Sequence, residues 1–247
     1  MWNYWVGGKD NYAADRSAAE AVIAAWPAMP VIARLARRFL IDAVQELAGV
    51  HGVRQFLDIG AGLPTASNTH EVAQRVAPGS RVVYVDNDAV VMAHARALLT
   101  STPAGKTGFV QADLRDTGTI LAQAARTLDL GQPVAVVMIA VLHFIPEEDD
   151  PYAIVARLMD AVPAGSFLVI GHAASDMRSA DTRDGFRAYN ERSPARLTPR
   201  SRQQIDRLVA GLEPVGRGVV PLSQWFGPGE RGGDADLVGY CGIVRKP

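Results

Sequence analysis

The rhythm of apolar and polar residues changes near residue 53. Before it, Val31, Ile32, Leu35, Ala36, Phe39, Leu40, Ala43, Val44 and Leu47 recur at helical spacing, with Arg34, Arg37, Arg38, Asp42 and Glu46 between them. This pattern predicts an amphipathic helix with Pro30 in its first turn. Beyond it, short apolar runs alternate with helical patterns. Strands are predicted at 54–59, 81–85, 107–111, 133–140, 166–171, 214–220 and 236–245, and helices at 69–77, 88–100, 117–127, 151–162 and 199–210. Asn68 with Glu71 forms a capping box for the first of these helices, and Asp150-Pro151 supplies an N-cap and first turn for the fourth. Strand–helix alternation at this spacing predicts an α/β fold, a parallel sheet with helices on both faces. The last two strands have no helix between them, so the sheet should end in a reversed, antiparallel hairpin. No repeat and no low-complexity tract interrupts the pattern. Residues 173–200 fit it poorly: they are polar, rich in arginine and carry Phe186 and Tyr189. They suit an insertion over the carboxyl edge of the sheet, a candidate lid, and equally an ordinary surface excursion.

Composition narrows the class. A chain of 247 residues, 48% hydrophobic and 21% charged, is long enough for one large core, with at most a small appendage. The organisation expected is an N-terminal unit over 1–50 and a main domain over 51–247. A formal net charge of −1 argues against a nucleic-acid or anionic-membrane surface as the main partner. The longest apolar run, Val134–Leu142, falls far short of the roughly 20 residues that span a bilayer. Lys9, Asp10, Asp15 and Arg16 interrupt any signal-peptide core. With Cys241 as the single cysteine, no internal disulfide can form, so the expectation is a soluble, cytoplasmic protein.

The candidate chemistry starts at Phe56-Leu-Asp-Ile-Gly-Ala-Gly62, a buried strand entering a glycine turn. A glycine loop alone would suit a dinucleotide pyrophosphate. Asp58 opposes that anion: at about 4 Å and an effective dielectric near 20, like charges repel by roughly 4 kcal/mol. The position of the third glycine in the dinucleotide fingerprint is Thr65, so that fingerprint fails. The same carboxylate suits a ligand with an ammonium group, such as S-adenosylmethionine. Asp86 closes the second strand, near the spacing at which an acid meets a ribose diol, and Asn87 follows it; Asp86 read otherwise is a turn residue beside the helix cap Asp88. Asp113 closes the third strand, placed to accept an adenine amino group while Leu114 lies against the base; its alternative is a solvated acid beside the cap Asp116.

Asp58-Ile-Gly-Ala-Gly62, Asp86 and Asp113 resemble the motifs of class I S-adenosylmethionine-dependent methyltransferases. More narrowly, Trp2-Asn-Tyr-Trp-Val-Gly-Gly-Lys-Asp-Asn-Tyr12, Leu63-Pro-Thr65, Asn68-Thr-His-Glu71, Val141-Leu-His-Phe144 and the stretch from Gly211 to Trp225 resemble the S-adenosyl methyltransferase family first catalogued as a domain of unknown function. The resemblance covers nearly the whole chain. It implies a Rossmann-like sheet, mostly parallel with a terminal antiparallel strand, under an N-terminal helical cap. It implies S-adenosylmethionine as cofactor, held by Asp58, Gly60, Gly62, Asp86, Asn87, Asp113 and Leu114, and methyl transfer to a small-molecule acceptor it does not define. Pro64 stands where the wider class has a third glycine, and relatives carry residues ahead of the Trp-Asn-Tyr-Trp motif, which implies a late start here.

On the acceptor side, Trp2, Tyr4, Trp5 and Tyr12 crowd the first twelve residues around Gly7-Gly8. They form either a flap that brings a tyrosine to the site or an arm filling a surface groove. His143 follows the fourth strand and His172 ends the fifth, so Tyr4, Tyr12, His143 and His172 are the candidates for acceptor contact. His143 and Tyr12 are those for catalysis, a base being useful only if the acceptor starts protonated. Packing and capping are the competing roles. Glu147-Glu-Asp-Asp150 suits a solvated helix start better than a metal site, and no zinc-type Cys/His spacing exists, so no metal is expected. Two other functions fit parts of the pattern: a non-catalytic S-adenosylmethionine sensor, and a nicotinamide oxidoreductase, which Asp58 and Thr65 disfavour.

Overall fold

A computed structural model describes residues 1–177, 180–226 and 238–247. The N-terminal segment folds as α1 (Trp2–Trp5), α2 (Ala13–Ala25) and α3 (Met29–Gly49), with α2 and α3 meeting at 107°. Residues Val31–Leu47 form the expected helix, and Pro30 sits in its first turn. Its apolar stripe, Leu35, Phe39, Leu40, Ala43, Val44 and Leu47, is buried.

The sheet contains β1 (Gln55–Ile59), β2 (Arg81–Asp86), β3 (Lys106–Gln111), β4 (Ala135–Ile139), β5 (Phe167–His172), β6 (Glu213–Pro221) and β7 (Tyr240–Arg245) in the order β3-β2-β1-β4-β5-β7-β6. The first five strands are parallel; β7 runs antiparallel to both β5 and β6. The expected hairpin therefore folds so that the last strand slots inside the sheet and β6 becomes its edge. The part of the predicted last strand at 236–237 lies outside the described residues. β1 and β4 are central, which explains their unbroken burial: Phe56, Leu57 and Ala135–Met138 have essentially no exposed surface.

Between strands run α4 (Thr69–Val76), α5 (Ala89–Leu98), α6 (Thr117–Ala124) and α7 (Pro151–Asp160), then α8 (Ala180–Arg192) and α9 (Arg202–Leu208), with a single turn α10 (Leu222–Trp225) between β6 and β7. Glu71 accepts from the Asn68 N–H (2.8 Å), completing the capping box at α4, and Asp150 caps α7 through Ala153 N–H (3.1 Å). Helix α4 packs on α3, whereas α6, α7 and α9 pack in series. Right-handed crossovers place these groups on opposite faces, because strand order reverses between β1 and β4. Ligands bind at that reversal, beyond the carboxyl ends of the strands.

The 173–200 excursion contains a helix that the polar composition concealed. α8 packs against α2. Gly185 permits this, since a Cβ there would stand 2.5 Å from that of Trp26. Phe186 meets the Trp26 ring edge-on at 5.3 Å. Among the described residues, no single helix is long and apolar enough to cross a membrane.

Candidate functional site

The carboxyl ends of β1 to β5 open into one cavity of about 1410 Å³, roofed by the N-terminal segment and α8. At its floor, β1 turns through Gly60 and Gly62, both at positive φ (79° and 63°). Gly60 and Ala61 N–H groups donate to the Val85 carbonyl (2.8 and 3.1 Å), so the loop is stitched to β2. A Cβ on Gly60 would stand 2.6 Å from that of Val141, so glycine is needed there for both backbone and space.

Asp58, Asp86 and Asp113 line this cavity at the ends of three adjacent strands, with Gly60, Gly62, Asn87 and Leu114 beside them. Asp58 is buried, and the Thr69 hydroxyl donates to its Oδ2 at 2.5 Å. Burial pushes its carboxyl up to about 6, against the opposing pull of Thr69 and Arg37. Asp86 accepts from Gly62 N–H (2.9 Å) and Asp88 N–H (3.0 Å), one on each oxygen, which leaves a lone pair on each for a diol. Burial also raises its pKa. Asp113 is not the free acid the sequence suggests. Arg115 donates to it from the backbone (2.9 Å) and Nη1 (2.8 Å) and reaches Asp149 at 2.6 Å, forming a half-exposed rim network.

The opposite wall is aromatic. Trp2, Trp5, Tyr189, Phe144, His143 and His172 follow one another as ring neighbours at 6.2, 6.3, 6.1, 4.4 and 5.5 Å, and all six line the cavity. Trp5 is buried, and its indole N–H reaches the Ala19 carbonyl (3.3 Å). Tyr12 lines the cavity from an exposed position as the N-cap residue of α2. Tyr4 does not. Its hydroxyl turns to Glu20 (3.1 Å) on the solvent side, because the helical turn of α1 sends residues 4 and 5 to different faces. Tyr4 is therefore withdrawn from the acceptor contacts expected above.

His143 is buried, its Nδ1 has no partner, and burial together with nearby His172 and Arg200 holds its pKa well below the ordinary histidine value. His172 has no nitrogen to spare. Its Nδ1 donates to the Ala173 carbonyl (2.8 Å), and its Nε2 accepts from Arg200 Nη1 (3.0 Å). Burial lowers it to about 4, so it is a neutral, fully engaged support and not a group that reacts. Arg200 has no exposed surface. It also donates to the carbonyls of Leu142 (3.0 Å) and Ile145 (2.7 Å) and pairs with Glu147 (2.8 Å), bracing the turn that carries His143. Nothing local in the sequence marks Arg200; only its packing against β5 does. Glu147 and Asp149 are ion-paired and Asp150 is a cap, and among the described residues no acid or histidine cluster could hold a metal ion.

A mostly parallel sheet with its strand reversal under a glycine loop, an acid at each of three strand ends and no pyrophosphate-compatible fingerprint define a Rossmann-like, class I S-adenosylmethionine-dependent methyltransferase. Comparison agrees. The model of the S-adenosyl methyltransferase family matches residues 1–247, and the chain belongs to that family. A DUF574-family protein from Streptomyces avermitilis is 41% identical, with a TM-score of 0.95 over 100% of this chain and 95% of that one. A protein from Thermobifida fusca assigned to the methyltransferases is 34% identical, with a TM-score of 0.88 over 99% and 92%. The N-methyltransferase NodS of Bradyrhizobium japonicum, solved with S-adenosylhomocysteine, shares the fold alone, at 16% identity and a TM-score of 0.52 over 86% and 88%. Comparison with curated proteins returns no match. Membership of that family makes the chain an S-adenosylmethionine-dependent methyltransferase and not a nicotinamide oxidoreductase.

Proposed function

We propose that the methyl acceptor is a small molecule with a flat apolar face, bound under the aromatic wall while the cofactor lies along the ends of β1 to β3. The carrying observation is that both walls enclose a single cavity larger than the roughly 300–1,000 Å³ of an ordinary one-ligand pocket. Asp86 takes the ribose diol, Asp58 the ammonium end, and Leu114 with Asn87 the base. Asp113 serves the base only through its Arg115-paired rim position. When bound, S-adenosylmethionine supplies an electrophilic sulfonium methyl group. Transfer of this kind gains most from positioning. The rigid turn braced by Arg200 supplies that positioning. His143 stays neutral at physiological pH and can take the proton of an acceptor hydroxyl or amine. Residues 1–50 act as a helical cap and, with the 173–200 segment, as the cover that excludes water from the cavity over the 51–247 domain. Tyr12, exposed at the cavity mouth, touches the acceptor as it enters. The single, buried Cys241 supports a reducing, cytoplasmic setting.

Calorimetry with S-adenosylhomocysteine tests the cofactor half. Asp86→Ala removes two charge-assisted hydrogen bonds worth on the order of 1.5–3 kcal/mol each, so affinity falls at least tenfold with the fold intact. Unchanged affinity would mean that another residue holds the ribose.

A further inference from the structure

We infer that Arg37 binds the carboxylate of the cofactor's amino-acid end, so that Asp58 and Arg37 together clamp that zwitterion. The inference rests on the cofactor placement proposed above and extends it to a residue from the N-terminal segment. Arg37 lies on α3 and lines the main cavity together with Asp58; it also lines a second space of about 660 Å³ behind the glycine loop. Its Nη2 donates to the carbonyls of Ala66 (3.2 Å) and Ser67 (2.9 Å) and to Asn68 Oδ1 (3.5 Å), all neutral acceptors. Its Nε is buried with no partner. Among the described residues Arg37 forms no ion pair.

A largely desolvated guanidinium without a counter-ion is unusual, since buried charges are normally paired. Two carboxylates are near enough to be felt, and neither closes on it. Glu71 is committed to the Asn68 N–H at 2.8 Å, and Asp58 to Thr69 at 2.5 Å. The cation and the Asp58 carboxylate line the same cavity, and no ion pair closes between them among the described residues. An amino-acid terminus carries an ammonium and a carboxylate on one carbon, and it offers each of the two side chains an opposite charge. The planar fork of arginine is suited to a carboxylate, and it has donors in excess of those the loop uses. The competing role is purely structural: Arg37 as a staple for residues 66–68.

Two ligands separate these roles. S-adenosylhomocysteine has both charges; its decarboxylated analogue keeps the adenosine, sulfur and ammonium but lacks the carboxylate. Calorimetry on the full chain should show the wild type preferring S-adenosylhomocysteine by about tenfold or more. Arg37→Met should remove that preference by weakening S-adenosylhomocysteine while leaving the decarboxylated analogue within about twofold. Arg37→Lys, which keeps the charge without the fork, should restore part of the preference and guards against a Met variant that folds poorly. Equal losses for both ligands, or a preference that survives Arg37→Met, would overturn the assignment. Failure of the underlying placement reads differently: Asp86→Ala would then leave both ligands unaffected.

Discussion

Replacing Asp58 with asparagine should make the free protein more stable at alkaline pH while weakening its cofactor binding. The carboxyl is buried, and its pKa rises from 3.8 to about 6 because desolvation outweighs the help from Thr69 and Arg37. A folded pKa above the unfolded one means the folded state binds the proton more tightly. The contribution of Asp58 to stability is therefore fully present below the unfolded pKa, near pH 4, and is lost as pH rises through about 6. At 1.36 kcal/mol per unit, the charge costs about 3 kcal/mol above that window. Asparagine keeps an acceptor for the Thr69 hydroxyl and never ionises, but its amide N–H groups find no evident acceptor and cost about 1–3 kcal/mol at every pH. The net gain at pH 8 is accordingly small, and the pH dependence is the decisive quantity. Urea unfolding of the ligand-free protein from pH 4 to pH 8 should show the variant-minus-wild-type difference growing by about 3 kcal/mol in favour of asparagine. Calorimetry at pH 8 should show a weaker affinity for S-adenosylhomocysteine. A flat difference across that range would refute the claim that Asp58 is held charged at an energetic cost for the ligand.

Gly60→Ala forces a side chain into a left-handed position and onto Val141, costing about 1–2 kcal/mol for the backbone and about 1–3 kcal/mol for overpacking; denaturant unfolding should show the loss, and a stable variant would mean the loop has another path. Arg200→Met deprives the Leu142 and Ile145 carbonyls of a buried donor, at about 1–3 kcal/mol each. Because the guanidinium depresses His172, NMR titration should show that ring moving up from about 4; an unmoved His172 would contradict the contact. Trp5→Ala should cost about 3–5 kcal/mol, since the ring is buried, while Tyr12→Ala, on an exposed ring, should stay within about 0.5 kcal/mol. If Tyr12→Ala also leaves acceptor KM unchanged, Tyr12 does not belong to the site.

What the sequence determined by itself is what local chemistry encodes. The apolar runs of β1 to β5 and the stripe on α3 follow from burial at fixed periods, and the caps at Asn68, Asp88 and Asp150 follow from side chains that reach N–H groups within three residues. The glycine loop and the acids at three strand ends were legible for the same reason: a parallel strand places its last residues at one edge whatever its neighbours are. Helix α8 was not legible, because its polar sequence carries little more than Phe186 and Tyr189 to bury and becomes a packed helix only against α2 and Trp5. Three more features depended on partners beyond the local sequence. β7 lies between β5 and β6, the Tyr4 hydroxyl turns to Glu20, and Arg115, which holds Asp113 from only two residues away, is itself fixed by Asp149, 34 residues on. Arg200 reads as one arginine among many; it acquires a role because the chain returns it beneath His172, 28 residues away in sequence, where water cannot follow. Interactions within a turn or a strand are set by neighbours in the sequence, whereas the field and solvation at a buried charge are set by whatever the tertiary fold brings alongside it.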